Sequence, residues 1–506
     1  MTNPDVPAAL AGFAAAGPDR LDAEFADLTA RVWHDGALAA DLVPELVDLL
    51  AVADTARAGR LAVLLGLLAE EHGLGSEVFT QVAKGLDTYL DVLDRHGDGE
   101  PVALGLLYLV AHFPADAERI LAAVAHRNLT AEDRSRLERC LEPYDRENLV
   151  LGRVWPSPAE WALTDAEREF DRRWVAELPD AQAKATWDGD TKMVLGYAGA
   201  HAYWAQLAGT PVVAADTNPL RAAVPVEASD DGLAGITRHA AVLRCPVCHG
   251  PLSALPAGAH CPVCPGTYPL ARGVLDFTAD PTRPVAADDP DDVLSNAAAM
   301  NSIGLYYEEV LRPGFLRLMG TNWGGQVTPA DEDEYLAARL SGVAGTVLDL
   351  AAGAGRWTAV LAELLGPDRL VALDLNPTML SWLRGRLPEV CAVQASALDL
   401  PFADGSFGGV NCWNALQAMP DPAQAIAEVG RVLKPGGTFT LLTFGSAEDP
   451  VLAYYQSTFR GPGFPDGGMP LFSRALVRSW VEAAGLVVRD ESGPGSFIFV
   501  TAEKPA

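Results

Sequence analysis

No histidine occurs between residue 261 and residue 506, and the whole chain holds only 9. A reaction housed in that C-terminal half has no local imidazole to take a proton at neutral pH. Basic charge is scarce as well: 37 Lys and Arg face 67 Asp and Glu, a net charge of −30, and the acid excess runs through both halves. No stretch forms the basic patch that neutralises phosphates, so nucleic acid is a poor partner, and an anionic membrane surface is disfavoured for the same reason. The longest notable apolar run, Leu61 to Ala69, is flanked by Arg60 and Glu70 and is far too short to span a bilayer. The first residues carry Asp5 and Asp19 with no Lys or Arg before Arg20, so the charged start of a secretory leader is missing and a cytoplasmic chain is expected. Cysteine is sparse, 7 in 506 residues, which excludes a disulfide framework. Four cysteines crowd into 245–264 while Cys140, Cys391 and Cys412 stand alone, the pattern of a metal site plus core thiols in a reducing compartment.

What is present suffices for several cores. The chain is 49% apolar and 21% charged, a globular composition, and at roughly 150 residues per domain its length predicts about three domains. Residues 1–150 read as helix throughout, with Leu42, Leu46, Leu49 and Leu50 on one face and Leu61, Leu64, Leu65 and Leu68 on the next. The pattern returns about forty residues later. Leu46, Leu49 and Leu50 map onto Leu86, Tyr89 and Leu90, and LLGLLA around Gly66 maps onto ALGLLY around Gly105. Ile120, Leu121 and Val124, then Leu137 and Leu141, suit a third, shorter hairpin. This spacing fits HEAT-like stacked hairpins; a non-repetitive bundle fits the same leucines.

Residues 151–235 hold five of the 11 tryptophans, Trp155, Trp161, Trp174, Trp187 and Trp204. Helices are expected from Asp165 through Leu178 and around Met193 to Leu207. The rings read as core filler or as glue between domains, with an aromatic-lined pocket as the alternative. Residues 236–278 are short strands and turns around cysteine pairs, 279–295 are a linker rich in Pro and Asp, and 296–506 begin with helix and continue as alternating strand and helix. The expected architecture is multidomain: N-terminal all-α, a small metal ribbon, and a C-terminal doubly wound, Rossmann-like α/β domain.

The pairs Cys245/Cys248 and Cys261/Cys264 are two CxxC knuckles separated by twelve residues. Each knuckle turns both sulfurs toward one point, and four thiolates select zinc while leaving no position for water. A structural zinc ribbon is expected, with His249 and His260 as solvent-facing neighbours. In the C-terminal region, TVLDLAAGAGRW (346–357) is an apolar strand ending in an acid, a small-residue loop and a helix start. Gly353 and Gly355 let backbone approach a ligand whose anionic group faces the helix N-terminus. The next strand ends in Asp374, about twenty residues on, where an acid grips both ribose hydroxyls. ASALDLPFADGSF (395–407), CWNALQAMPDP (412–422) and RVLKPGG (431–437) follow in order.

This series of stretches resembles the class I methyltransferases that use S-adenosylmethionine (SAM), in particular the branch with the ubiquinone/menaquinone C-methyltransferases. The resemblance covers 346–506. From residue 242 onward the chain is also similar to methyltransferases that carry a zinc ribbon ahead of the fold, with YPLARGVLDF after the last cysteine and IGLYYEEVLRP (303–313) before the fold. The resemblance does not extend to 1–235. The resemblance implies that Gly353 and Gly355, with Ala351 in place of the usual first glycine, lie under the methionine end of SAM. It implies that Asp349 holds the loop or reaches the amino group, and that Asp374, followed by Leu375, takes the ribose. Ala397 and Leu398 then meet the adenine, with Ser396 where an acid is usual. Asn414 would line the sulfonium end and Tyr307 would close over the cofactor. Gly408 stands where an Asp is usual.

Methyl transfer from a sulfonium is an in-line displacement that gains most from alignment. With no histidine after residue 260, C- or N-methylation is favoured over histidine-assisted O-methylation. No catalytic residue is assigned; Tyr306, Trp413 and Gln417 are candidates for the walls of the acceptor pocket. The expected acceptor is a small molecule, such as a specialised metabolite. A peptide or carrier-bound acceptor comes next, RNA last, and a non-catalytic SAM-binding scaffold is a further alternative.

Overall fold

The computed structural model describes residues 5–149, 172–173, 175–210, 232–278, 312–458 and 470–506. Tyr306, Tyr307, Trp155, Trp161, Trp174, the 279–295 linker and most of the helix expected from Asp165 lie outside the described residues.

The N-terminal part is helical. Gly36–Val52 packs against Thr55–His72, and Leu86–Asp94 against Pro101–Val110, with Glu77–Lys84 between the two pairs in the chain. Asp35, Asp54 and Ser76 start three of these helices by accepting hydrogen bonds from backbone amides in the first turn. Thr55–His72 and Pro101–Val110 are apolar nearly all round, so both are buried and pack on each other. The glycines in the two similar sequences serve close packing. A Cβ on Gly105 would sit 2.9 Å from the Gly59 carbonyl oxygen, and one on Gly66 would sit 2.3 Å from the Tyr108 ring. The two shorter helices expected around Ile120 and Leu137 are Ala117–Val124 and Ala131–Leu141.

One long helix, Asp180–Ala208, links this bundle to the rest. Toward the bundle, the Gln206 carbonyl accepts from Arg60 Nη2 at 3.0 Å. Toward the C-terminal part, Tyr203 donates to Asp449 at 2.9 Å, the Tyr197 ring meets Trp323 edge-on, and a Cβ on Gly199 would sit 2.3 Å from the Tyr455 ring. Trp187 stacks under the Arg139 guanidinium at 3.5 Å, and Trp204 lies against Gly324. These two tryptophans join segments. A single apolar core continues from the bundle, across this helix, onto the sheet.

The strands are β1 (Ser253–Leu255), β2 (Gly258–His260), β3 (Thr267–Ala271), β4 (Val274–Asp276), β5 (Val347–Leu350), β6 (Leu370–Asp374), β7 (Cys391–Gln394), β8 (Phe407–Trp413), β9 (Leu433–Phe444), β10 (Val487–Ser492) and β11 (Phe497–Glu503). Their order is β1-β2-β3-β4-β7-β6-β5-β8-β9-β11-β10. Strands β7, β6, β5, β8 and β9 are parallel. The chain leaves β5 toward β6 and β7, then returns to its other side at β8, which opens a ligand crevice at the carboxyl end of β5.

Two features depart from the sequence reading. The strand–helix alternation does not reach the end: β10 and β11 form an antiparallel hairpin, because the few residues around Pro494 cannot make a crossover. The ribbon also joins the main sheet. Its last strand, β4, pairs in parallel with β7 and extends the main sheet.

Candidate cofactor and metal sites

The four knuckle cysteines converge. Cys245 and Cys264 sulfurs lie 3.6 Å apart, Cys248 and Cys261 sulfurs 3.4 Å apart, and all four lie within 4.8 Å of one another. Four thiolates about 2.3 Å from a central zinc would stand about 3.8 Å from each other, so the donor set and spacing fit a closed zinc centre. Neither His249 nor His260 joins the group. The Tyr268 hydroxyl lies 3.1 Å from Cys245 Sγ, an outer contact of the kind that orients metal ligands. Tyr268 was missed because a tyrosine has no fixed spacing to a knuckle.

The small-residue loop leaves β5 through Ala351 (φ 58°), Gly353 (φ 54°) and Gly355 (φ 88°) into the helix Arg356–Leu365. A Cβ on Gly353 would meet nothing within 4 Å, while one on Gly355 would press on Leu383 at 3.0 Å. The loop is thus open at Gly353, where a ligand would approach, and tight at Gly355, where helix packs on helix. Ala351 takes the left-handed conformation without being glycine, at a cost of about 1–2 kcal/mol.

Asp349 is buried and holds the loop from beneath. Its carboxylate accepts from Thr358 Oγ1 at 2.5 Å and from Asn411 Nδ2 at 2.9 Å. Burial pushes it up to about 6, against the pull of those two donors. Asp374 ends β6 beside the loop, accepting the Gly353 amide at 2.8 Å and the Asn376 amide at 2.8 Å. Burial raises it too. Each of its oxygens keeps a further lone pair for a hydroxyl. Leu375, next to it, is 61% exposed, an apolar face at the rim of the crevice. The Ser396 hydroxyl accepts the Leu398 amide at 3.2 Å, folding the turn that carries Ala397.

Asn414 follows β8 at φ 59°, a conformation Asn tolerates. Gln417 donates to the Asn414 carbonyl at 2.9 Å and to its side chain at 3.1 Å, and accepts from Thr443 at 3.3 Å. Its amide is engaged inside the chain. Trp413 needs correction as a pocket wall. It is 2% exposed, its indole N–H donates to Glu332 at 3.1 Å, and its ring packs against Tyr335 and Phe499. Alternate strand residues face opposite sides of the sheet, and Trp413 faces the core. Gly408 also has a packing reason: a Cβ there would lie 1.8 Å from the Ala344 carbonyl oxygen.

Sequence reasoning passed over the charges beneath the loop. Arg356 grips both oxygens of Asp333 at 2.6 and 2.8 Å. Arg312 and Glu332 form a buried pair under Trp413, with the guanidinium over the Trp357 and Phe315 rings. Arg356 adjoins the glycine loop in sequence, which was a usable signal; Arg312 offered none.

A parallel sheet whose central strand ends in an open glycine loop, with an acid at the tip of the next strand, is the class of fold that binds an adenosine-containing cofactor. Residues 347–437 match the family described as a methyltransferase domain. The chain is 26% identical over 288 residues to an uncharacterised chloroplastic methyltransferase of Arabidopsis thaliana, covering 52% of this chain and 79% of that protein. It is 35% identical over 144 residues to demethylmenaquinone methyltransferase of Lactiplantibacillus plantarum, covering 27% of this chain and 58% of that protein. A solved putative methyltransferase of Bacillus halodurans aligns at 20% identity and TM-score 0.30, over 35% of this chain and 100% of that one. Residues 347–437 thus carry a SAM-dependent methyltransferase domain, similar to the ubiquinone/menaquinone methyltransferases, and a four-cysteine ribbon precedes it.

Proposed function

We propose that the whole chain methylates a small organic acceptor, by C- or N-methylation, in a cleft between the helical half and the carboxyl edge of the sheet. SAM, when bound, supplies the electrophilic methyl group. Gly353, open to a ligand, and Asp374, bonded to the Gly353 amide, are the residues to hold its methionine and ribose parts, with Leu375 and Ala397–Leu398 beside the adenine. Asp349 and Thr358 keep the loop in place, and Asn414, pinned by Gln417, faces the reacting end.

The observation that carries the preference for carbon or nitrogen is the distribution of histidine. None follows His260, so the methyltransferase domain itself offers no imidazole base. An enolate or a free amine needs no base at the moment of transfer. The acid excess disfavours RNA. The relatives include demethylmenaquinone methyltransferases, which supports a quinone-like or specialised-metabolite acceptor. Seven free cysteines suit a reducing cytoplasm, and among the described residues no helix is long and apolar enough to cross a membrane. The working division is a helical, HEAT-like 1–150, a Trp-rich 151–235, the ribbon 236–278, a linker 279–295 and the methyltransferase domain 296–506.

The test is to give the full chain methyl-labelled SAM together with a bacterial lysate, then separate low-mass, RNA and protein fractions. Label in the low-mass fraction supports the proposal. Label confined to RNA or protein, or no transfer, overturns it.

A further inference from the structure

We propose that the zinc ribbon is a working part of the cofactor site, with Gln394 and Thr278 as positioning residues that tie the ribbon to the backbone beside Asp374. The inference rests on the SAM-binding reading above. Strand β4 pairs with β7 so that Asp276 stands opposite Gln394, and β7 pairs with β6 so that Gln394 stands opposite Asp374. Three residues from three strands thus lie in a row across the sheet, one on the ribbon, one between, and one the acid at the ligand crevice.

Side chains strengthen that row. Asp276 Oδ1 accepts both the amide and the hydroxyl of Thr278 at 2.7 Å. With its proton committed there, the Thr278 oxygen accepts from Gln394 Nε2 at 3.2 Å. The same Gln394 nitrogen donates to the Leu375 carbonyl at 3.3 Å, and the Gln394 carbonyl accepts the Phe277 amide at 2.9 Å. That carbonyl belongs to the Leu375–Asn376 peptide, whose amide donates to Asp374 Oδ1 at 2.8 Å, so Gln394 holds the peptide that orients the acid.

The other end of the ribbon grips the same region. Arg244, one residue before the ligand Cys245, donates its amide to the Pro401 carbonyl at 2.8 Å, and Ala403 donates to Val242 at 2.8 Å. Leu243 bridges Phe402. Ser396, Ala397 and Leu398 lie between these two grips. A ribbon this small depends on its metal to fold, so the metal-held state and the shape of the cofactor rim are coupled. Coupling between two binding events is reciprocal.

The experiment is calorimetric titration of the zinc-loaded full chain with S-adenosylhomocysteine, the demethylated cofactor. Gln394→Leu and Thr278→Val should each bind roughly three- to tenfold more weakly, the range for one lost hydrogen bond. They should keep one zinc per chain and the wild-type melting temperature. Thr278→Ser, which keeps the hydroxyl, should bind as wild type, and the double variant should be no weaker than the worse single one, because both residues act in one relay. Reciprocally, saturating S-adenosylhomocysteine should slow zinc release from the wild type to a chromogenic chelator. If the wild type binds the ligand while the variants bind equally well and zinc release is unchanged, the proposal is overturned. If the wild type itself does not bind, the cofactor reading has failed instead.

Discussion

Replacing Glu332 with Leu tests how the reacting edge of the sheet is supported. Glu332 and Arg312 are buried together, and the Trp413 indole donates to the same carboxylate at 3.1 Å. Removing the carboxylate leaves a buried guanidinium with ring faces as its main company and an indole N–H with no acceptor. Breaking a buried pair from one side costs about 3–5 kcal/mol and an orphaned donor about 1 kcal/mol more, so Glu332→Leu should lose about 4–6 kcal/mol. Arg312→Met with Glu332→Leu removes both charges at similar volume. Only the indole is then unpaired, and the loss should be about 1–2 kcal/mol. The assay is native-state hydrogen exchange at β8 amides, which reads this unit without requiring 506 residues to unfold in one step. A double variant as damaged as the single one would refute the reasoning, since the cost would then lie in lost packing rather than in an uncompensated charge.

Other outcomes follow from the same geometry. Elemental analysis of protein purified without added metal should find one zinc per chain, and Cys261→Ser should lose it and destabilise the ribbon. Asp349 has a folded-state value of about 6, above the usual carboxylate value, so the native chain holds its proton longer and stability falls as pH rises through that value. Between about pH 5 and pH 8 this group should remove on the order of 1 kcal/mol, and its share of the slope should be missing in Asp349→Asn. Gly199→Ala drives a methyl group into the Tyr455 ring, and should destabilise the docking of the linking helix by about 1–3 kcal/mol. Limited proteolysis between the halves reads that loss; unchanged protection would count against the shared core. Trp413→Phe should lower stability without changing the KM for the acceptor, and a KM change alone would restore Trp413 as a pocket wall.

The glycine loop, Asp374 and the cysteine knuckles were legible because each is a local pattern whose chemistry sets the residue type. Helix in 1–150 was legible for the same reason, through leucine periodicity. The pairing of β4 with β7 was not, because a three-residue strand has no periodicity and its partner lies more than a hundred residues away. Trp413 was misjudged because the text after β8 does not show which face of the sheet the last strand residue takes. The similar glycines at 66 and 105 suggested a repeat, yet they meet different neighbours, the Tyr108 ring in one case and the Gly59 carbonyl in the other. Gly199 against Tyr455 likewise joins residues that no sequence window contains together.

The most direct measurement of the central claim is calorimetric titration of the full chain with S-adenosylhomocysteine, run beside Asp374→Ala. Asp374 accepts the Gly353 amide and is the acid proposed above to take the ribose hydroxyls. Loss of charge-assisted bonds worth about 2 kcal/mol corresponds to roughly thirtyfold in affinity. The account predicts one site per chain in the wild type and binding at least that much weaker in the variant. No binding by the wild type, or equal binding by both proteins, would contradict it.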